Sequence, residues 1–192
     1  SAQAAAARDA GRTDEAIALY RRAVTLRPAW DEGQWYLGTL LYEQQRWAEA
    51  RAAFAQVLRV HPEHAGAVAM TGLSTYQLGD HDAALRSLLQ ARQLRIQNTP
   101  DLATVVRYHT GILLTRFGEF EAANQVLTEL AAEGQESPQV IEAFGVNLLR
   151  MPMLPAEVPA EARARVQLAG EAGLAMATRQ MARAKALVER LA

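Results

Sequence analysis

Few side chains in this 192-residue sequence have the types and spacing for metal or covalent chemistry. There are four histidines, His61, His64, His81 and His109, and no cysteine. A zinc site needs three or four convergent ligands. His61 and His64 straddle Pro62, with Glu63 between, and no third ligand lies near them in the pattern, so the segment reads as a polar turn. His81 follows Asp80 in a second turn, and His109 falls on a helix. Ser74 and Ser87 have no histidine and carboxylate spaced to activate them. No glycine-rich phosphate-cradling string occurs. The reading is a non-enzymatic chain that needs no cofactor and no metal.

Charge narrows the classes further. Lysine and arginine total 20 against 21 acidic residues, a net charge of −1. A phosphate-backbone binder normally carries a basic excess. Arg21, Arg22, Arg51, Arg59, Arg86, Arg92 and Arg95 interleave with Asp14, Glu15, Glu49 and Asp82, which reads as a solvated face. Nucleic acid is therefore not the expected partner, and an RNA-reading helical repeat stays a remote alternative. No apolar run reaches the ~18 residues of a bilayer span, so no membrane insertion is expected. Lys185 is the sole lysine, a bias that fits a GC-rich bacterial coding sequence. Half the residues are hydrophobic, with Ala, Leu, Arg, Gln and Glu abundant and no period-two alternation. These residues lose little on entering a helix, so the chain reads as all-α.

A 34-residue period organises the helices. Ala16, Ala50 and Ala84 keep this step, as do Pro28 and Pro62, Gly38 and Gly72, and later Gly111 and Gly145. Gly11, Gln45 and Gly79 share a turn column, and Tyr20, Phe54 and Leu88 share a bulky one. Within residues 31–62, Trp35, Leu37, Gly38 and Leu41 line a first helix. After a turn at residues 44–46, Trp47, Ala50, Ala53, Phe54, Val57 and Leu58 recur at three- and four-residue spacing, the mark of a second helix with a buried stripe. The glycine and alanine columns let paired helices approach, and the bulky column fills the space between units.

The pattern resembles the tetratricopeptide repeat family. Leu37-Gly38, Leu41, Ala50, Phe54, Val57 and Pro62 carry its signature, and Gly111, Gly118, Ala123, Leu127 and Leu130 carry it again, displaced by five residues. The resemblance implies an α-solenoid of antiparallel helix pairs wound into a right-handed superhelix. One solenoid over 1–192 is expected, with units at about 1–30, 31–64, 65–98, 99–137, an abbreviated 138–164 and a partial 165–192. Thr99 and Pro100 read as the cap and first position of a helix. Ser137 and Pro138 read the same way. Three prolines between Met151 and Pro159 forbid a regular helix, so 151–159 reads as a connector before a long helix from about Pro159 to Thr178. Leu187, Val188 and Leu191 fall near the end of the sequence with no polar cap after them, which reads as a fragment or a processed chain.

The resemblance further implies that first helices line a concave face. By offset from the core columns that face is Trp35, Thr39, Tyr42 and Glu43, then Leu73 and Tyr76, then Tyr108, Ile112 and Arg116, then Glu142, Val146 and Arg150. Aromatic anchors with a charged margin suit a protein or peptide partner. One subclass of the family grips a partner's terminal carboxylate through a lysine, asparagine and arginine clamp. The corresponding stripe here lacks lysine and asparagine, so that mode is not expected. The function read from the sequence is a non-catalytic protein–protein interaction scaffold. The alternative is a self-assembling module, a homo-oligomer joined through the terminal unit and the 151–159 segment. The sequence does not decide the compartment.

Overall fold

The structure, a computed structural model, describes residues 1–96 and 99–191. The unit boundary expected at residue 98 and the last residue of the final unit lie outside the described residues. Among the described residues the chain is all-α. Its helices are α1 (Ala2–Asp9), α2 (Thr13–Leu26), α3 (Asp31–Glu43), α4 (Trp47–Val60), α5 (Ala65–Gln77), α6 (His81–Gln93), α7 (Pro100–Arg116), α8 (Phe120–Ala132), α9 (Pro138–Leu148), α10 (Arg163–Ala177) and α11 (Met181–Glu189). They group into two compact units, Ser1–Leu102 and Ala103–Ala192.

The first unit is three consecutive helix pairs, α1 with α2, α3 with α4 and α5 with α6, joined by α2 on α3 and α4 on α5. Each pair turns through a left-handed residue at Gly11, Gln45 or Gly79, with φ of 70°, 58° and 84°. Glycine adopts this conformation without steric cost and Gln45 does not. The repeat columns meet as their sizes require. The Phe54 ring lies 2.7 Å from where a Cβ on Gly38 would be, and Leu88 lies 3.0 Å from the same point on Gly72. Tyr20, Phe54 and Leu88 are fully enclosed. Truncating such a ring costs about 3–5 kcal/mol.

The histidines of this unit are structural. His61 Nε2 donates to Asp31 Oδ2 at 2.8 Å. His64 Nδ1 accepts from the Ala67 amide at 3.0 Å and so caps α5, while its ring packs on Trp35. Asp80 caps α6 through the Ala83 amide. The arginines on second helices pair with acids: Arg21 with Glu49 across two pairs, Arg46 with Glu49, and Arg86 with Asp82.

In the second unit, α7 and α8 repeat the same contact, with Leu127 2.8 Å from a Cβ position on Gly111. Ser137 caps α9 and Pro138 takes its first turn. After a turn at Leu149 and Arg150, the chain from Met151 to Ala162 forms no α-helix, only two 3-10 turns, Pro155–Glu157 and Ala160–Ala162. The helix expected from Pro159 therefore starts later, at Arg163. Pro159 holds an extended ψ of 148°, and the chain re-enters helix through the tighter turn. α11 packs on α10 through Ala172, Ala175, Ala184 and Leu187.

Gly145 departs from its column. Gly38, Gly72 and Gly111 each face a side chain of a second helix, whereas Gly145 faces the backbone of α10. A Cβ there would lie 2.0 Å from the Val166 carbonyl oxygen, and a Cβ on Gly170 would lie 2.0 Å from that of Ile141. α9 and α10 run in the same direction: Pro138, Gln139 and Glu142 share a cleft with Arg163, Ala164 and Gln167, and Phe144 and Leu148 share another with Gly173 and Ala177.

Candidate functional site

In the first unit the expected surface residues are held by their neighbours. Trp35 is half-buried, edge-on to Phe54 at 5.5 Å and against His64 at 5.1 Å. Thr39 Oγ1 donates to the Tyr36 carbonyl at 3.0 Å. Tyr42 packs edge-on to Trp47 at 4.7 Å, and burial pushes its hydroxyl pKa up against an opposing hydrogen bond from Gln77. Tyr76 packs on His81 at 5.4 Å, one repeat later. Each tyrosine ends a first helix and rests on the opening residue of the second helix that follows. Both rings stay partly accessible, and Glu43 is exposed beside them. Leu73 is only 2% exposed and belongs to the core.

In the second unit Tyr108 is half-buried beside His109. Ile112 and Val146, 2% and 0% exposed, offer no surface to a partner. Val146 is further covered by the connector, packing with Val158 and Val166 and flanked by Leu149, Met151 and Met153. Leu154 and Val158 are buried as well, which removes them as exposed contacts for a second copy.

The expected charged margin of this unit is engaged internally. Arg116 pairs with Glu157 of the connector, and the same carboxylate accepts the Leu154 amide at 2.8 Å. Arg150 pairs with Glu121 at 2.6 Å and lies over the Phe120 ring. Glu121's own backbone amide, then Arg150, hold the Glu121 carboxyl below its ordinary value. Glu142 is half-buried at the cleft shared by the starts of α9 and α10.

A further cavity was not read from the sequence. It measures 680 Å³ and lies between α8, α9, α10 and the start of α11. Its lining includes Phe120, Leu148, Met176 and Met181. The signal was present in the missing second helix after α9, but which face of α9 the connector would cover depends on packing. No candidate metal cluster of three or more His, Asp or Glu occurs among the described residues. No described helix is long and apolar enough to cross a membrane.

Solved structures share this fold. MamA is 18% identical with a TM-score of 0.66, over 93% of this chain and 94% of that one. YrrB, a TPR protein with an unusual peptide-binding site, is 20% identical with a TM-score of 0.65, over 97% and 88%. PilF of Pseudomonas aeruginosa is 16% identical with a TM-score of 0.58, over 98% and 86%. At these identities the likeness establishes the fold, a tetratricopeptide arrangement of helix pairs. No curated protein is significantly similar in sequence. A family description, T7SS, ESX-1 secretion system protein EccA1, N-terminal domain, matches residues 1–167. With most of its length matched, the chain belongs to this family of EccA1 N-terminal domains of the ESX-1 secretion system.

Proposed function

We propose that the chain is a non-catalytic scaffold that binds a protein or peptide along its first helices. The observation that carries this reading is the pair Tyr42 and Tyr76. They occupy the same register of successive first helices in the first unit, and each ring is braced by the next helix. Braced, amphipathic tyrosines bury large area on binding at low entropic cost, which is why they recur as interface anchors. Trp35, Thr39 and Glu43 extend this surface in the first unit. Tyr108 and Glu142 are the corresponding residues of the second unit, with Arg116 and Arg150 at its margin.

The binding mode is side-chain insertion between the aromatic anchors, with Glu43 selecting charge. YrrB's peptide-binding site supports a peptide as the ligand class on a shared fold. Membership of the EccA1 family supports a partner drawn from the same secretion system. The test uses the double variant Tyr42→Ala, Tyr76→Ala in affinity capture from cells that carry the secretion system. A partner retained by the parent chain is expected to be lost, with the helical circular-dichroism signal unchanged. Equal capture by both would overturn the reading.

A further inference from the structure

Each unit holds an arginine that meets both an aromatic ring and a carboxylate. In the first, Arg8 Cζ lies 4.0 Å from the centre of the Tyr36 ring, and the guanidinium pairs with Asp9 at 2.9 Å. In the second, Arg150 Cζ lies 5.4 Å from the centre of the Phe120 ring, and the guanidinium pairs with Glu121 at 2.6 Å. A ring face attracts a cation through its quadrupole, and a planar guanidinium can stack on the ring while its N–H groups reach a carboxylate.

The repeat brings a third ring and carboxylate to the end of α3. Glu43 stands 34 residues after Asp9, at the same place on the next first helix. It is exposed, and among the described residues no cation pairs with it. Arg46, the nearest cation in sequence, is engaged by Glu49. Trp47 opens α4 as Phe120 opens α8. It is half-buried, with the Tyr42 ring edge-on to it at 4.7 Å. Of the aromatic side chains, indole offers a cation the strongest face.

The repeats differ in the cation. Arg150 follows the column glycine Gly145 by five residues and reaches from α9 to the opening of the second helix before it. The same register on α5, five residues after Gly72, is Gln77. Gln77 also reaches back, and it hydrogen-bonds Tyr42. An amide carries no charge. The first unit therefore offers the ring and the carboxylate with a neutral residue in the arginine's register.

We propose that Trp47, Tyr42 and Glu43 receive an arginine side chain of the partner, its guanidinium over the indole and its charge met by Glu43. The proposal rests on the first-helix surface proposed above and names what that surface reads, a peptide with arginine at one fixed position.

The test selects binders from a phage-displayed library of random peptides on the immobilised full chain. Peptides that bind the parent but not Tyr42→Ala with Tyr76→Ala are sequenced, and arginine is expected at one fixed position. A synthetic selected peptide is then titrated by fluorescence anisotropy. Glu43→Gln should weaken binding about fivefold, the scale of an exposed ion pair. Replacing the peptide's arginine by glutamine should cost at least as much, and Glu43→Gln should then cost nothing further. Gln77→Arg should also weaken binding, because it sets the chain's own guanidinium over Trp47 as Arg150 is set over Phe120. Glu43 and Gln77 are exposed, and circular dichroism checks the fold of both variants. Selected peptides with no fixed arginine, or additive effects of Glu43→Gln and the peptide change, would overturn this proposal and leave the first-helix scaffold standing. If no selected peptide depends on Tyr42 and Tyr76, both readings fall.

Discussion

Gly145 of α9 and Gly170 of α10 each sit over a carbonyl of the other helix, and the relationship is reciprocal. The oxygen above Gly145 belongs to Val166, four residues before Gly170. The oxygen above Gly170 belongs to Ile141, four residues before Gly145. Each Cα lies within about 3.5 Å of its oxygen, the range of a weak Cα–H···O contact. Alanine at either position has the better helix propensity by about 1 kcal/mol. Its Cβ would nevertheless fall 2.0 Å from a backbone atom that cannot swing aside. Gly145→Ala and Gly170→Ala are each expected to destabilise the chain by about 1–3 kcal/mol, as overpacking does. Urea unfolding with an unchanged slope checks this.

Thr115 and Asn147 form a buried polar pair between α7 and α9. The Thr115 hydroxyl lies 3.1 Å from both the Gly111 carbonyl and the Asn147 amide. The atom facing Thr115 is Asn147 Oδ1, which accepts from the hydroxyl and shares its proton with the Gly111 carbonyl. Thr115→Val leaves Asn147 buried without that partner and should cost about 1–3 kcal/mol. Adding Asn147→Leu should recover part of the loss. A double-mutant cycle in urea measures the coupling.

Glu157 holds the connector in place by accepting both Arg116 and the Leu154 amide. The ion pair is partly exposed, so Glu157→Ala should lower global stability by no more than about 1 kcal/mol. The local effect should be larger. Hydrogen exchange at the Leu154 amide and proteolysis within 151–159 are expected to accelerate, while the helices keep their protection. Unchanged exchange at Leu154 would contradict the role given to Glu157.

Much of this was legible before the structure. The 34-residue columns identify which glycine meets which bulky residue, because Gly38 with Phe54 and Gly72 with Leu88 are sequence-local pairs in one hairpin. The same logic fails at Gly145, whose column partner would lie in a helix the prolines abolish. The contact then goes to α10, and nothing local encodes it. Arg116 is in the same position. Its register marks it as a surface residue, but its partner Glu157 sits 41 residues away in an irregular segment. Leu73, Ile112 and Val146 keep the spacing of an exposed stripe, yet each is 2% exposed or less, because spacing along one helix does not report what packs on it.

His109 predicts a pH dependence. Its Nδ1 donates to the Val105 carbonyl at 2.8 Å, and burial, the larger influence, holds its pKa below the ordinary histidine value. The unfolded chain therefore binds more protons than the folded chain below about pH 6.5, and stability rises with pH across that window. The contribution is complete above the unfolded pKa and is lost as pH falls below it. Glu49 and Glu121, held below the ordinary carboxylate value, act only at lower pH. His109→Gln should flatten the change in urea midpoint between about pH 7.5 and 5.5. A parent-like slope in the variant would refute this.

The scaffold reading is tested most directly by mapping a captured partner onto the full chain by backbone amide chemical-shift perturbation. The account predicts perturbations centred on Thr39, Tyr42, Glu43 and Tyr76, abolished together by Tyr42→Ala with Tyr76→Ala. Perturbations confined to the exposed faces of α2, α4 and α6, with the tyrosine region unmoved, would contradict it.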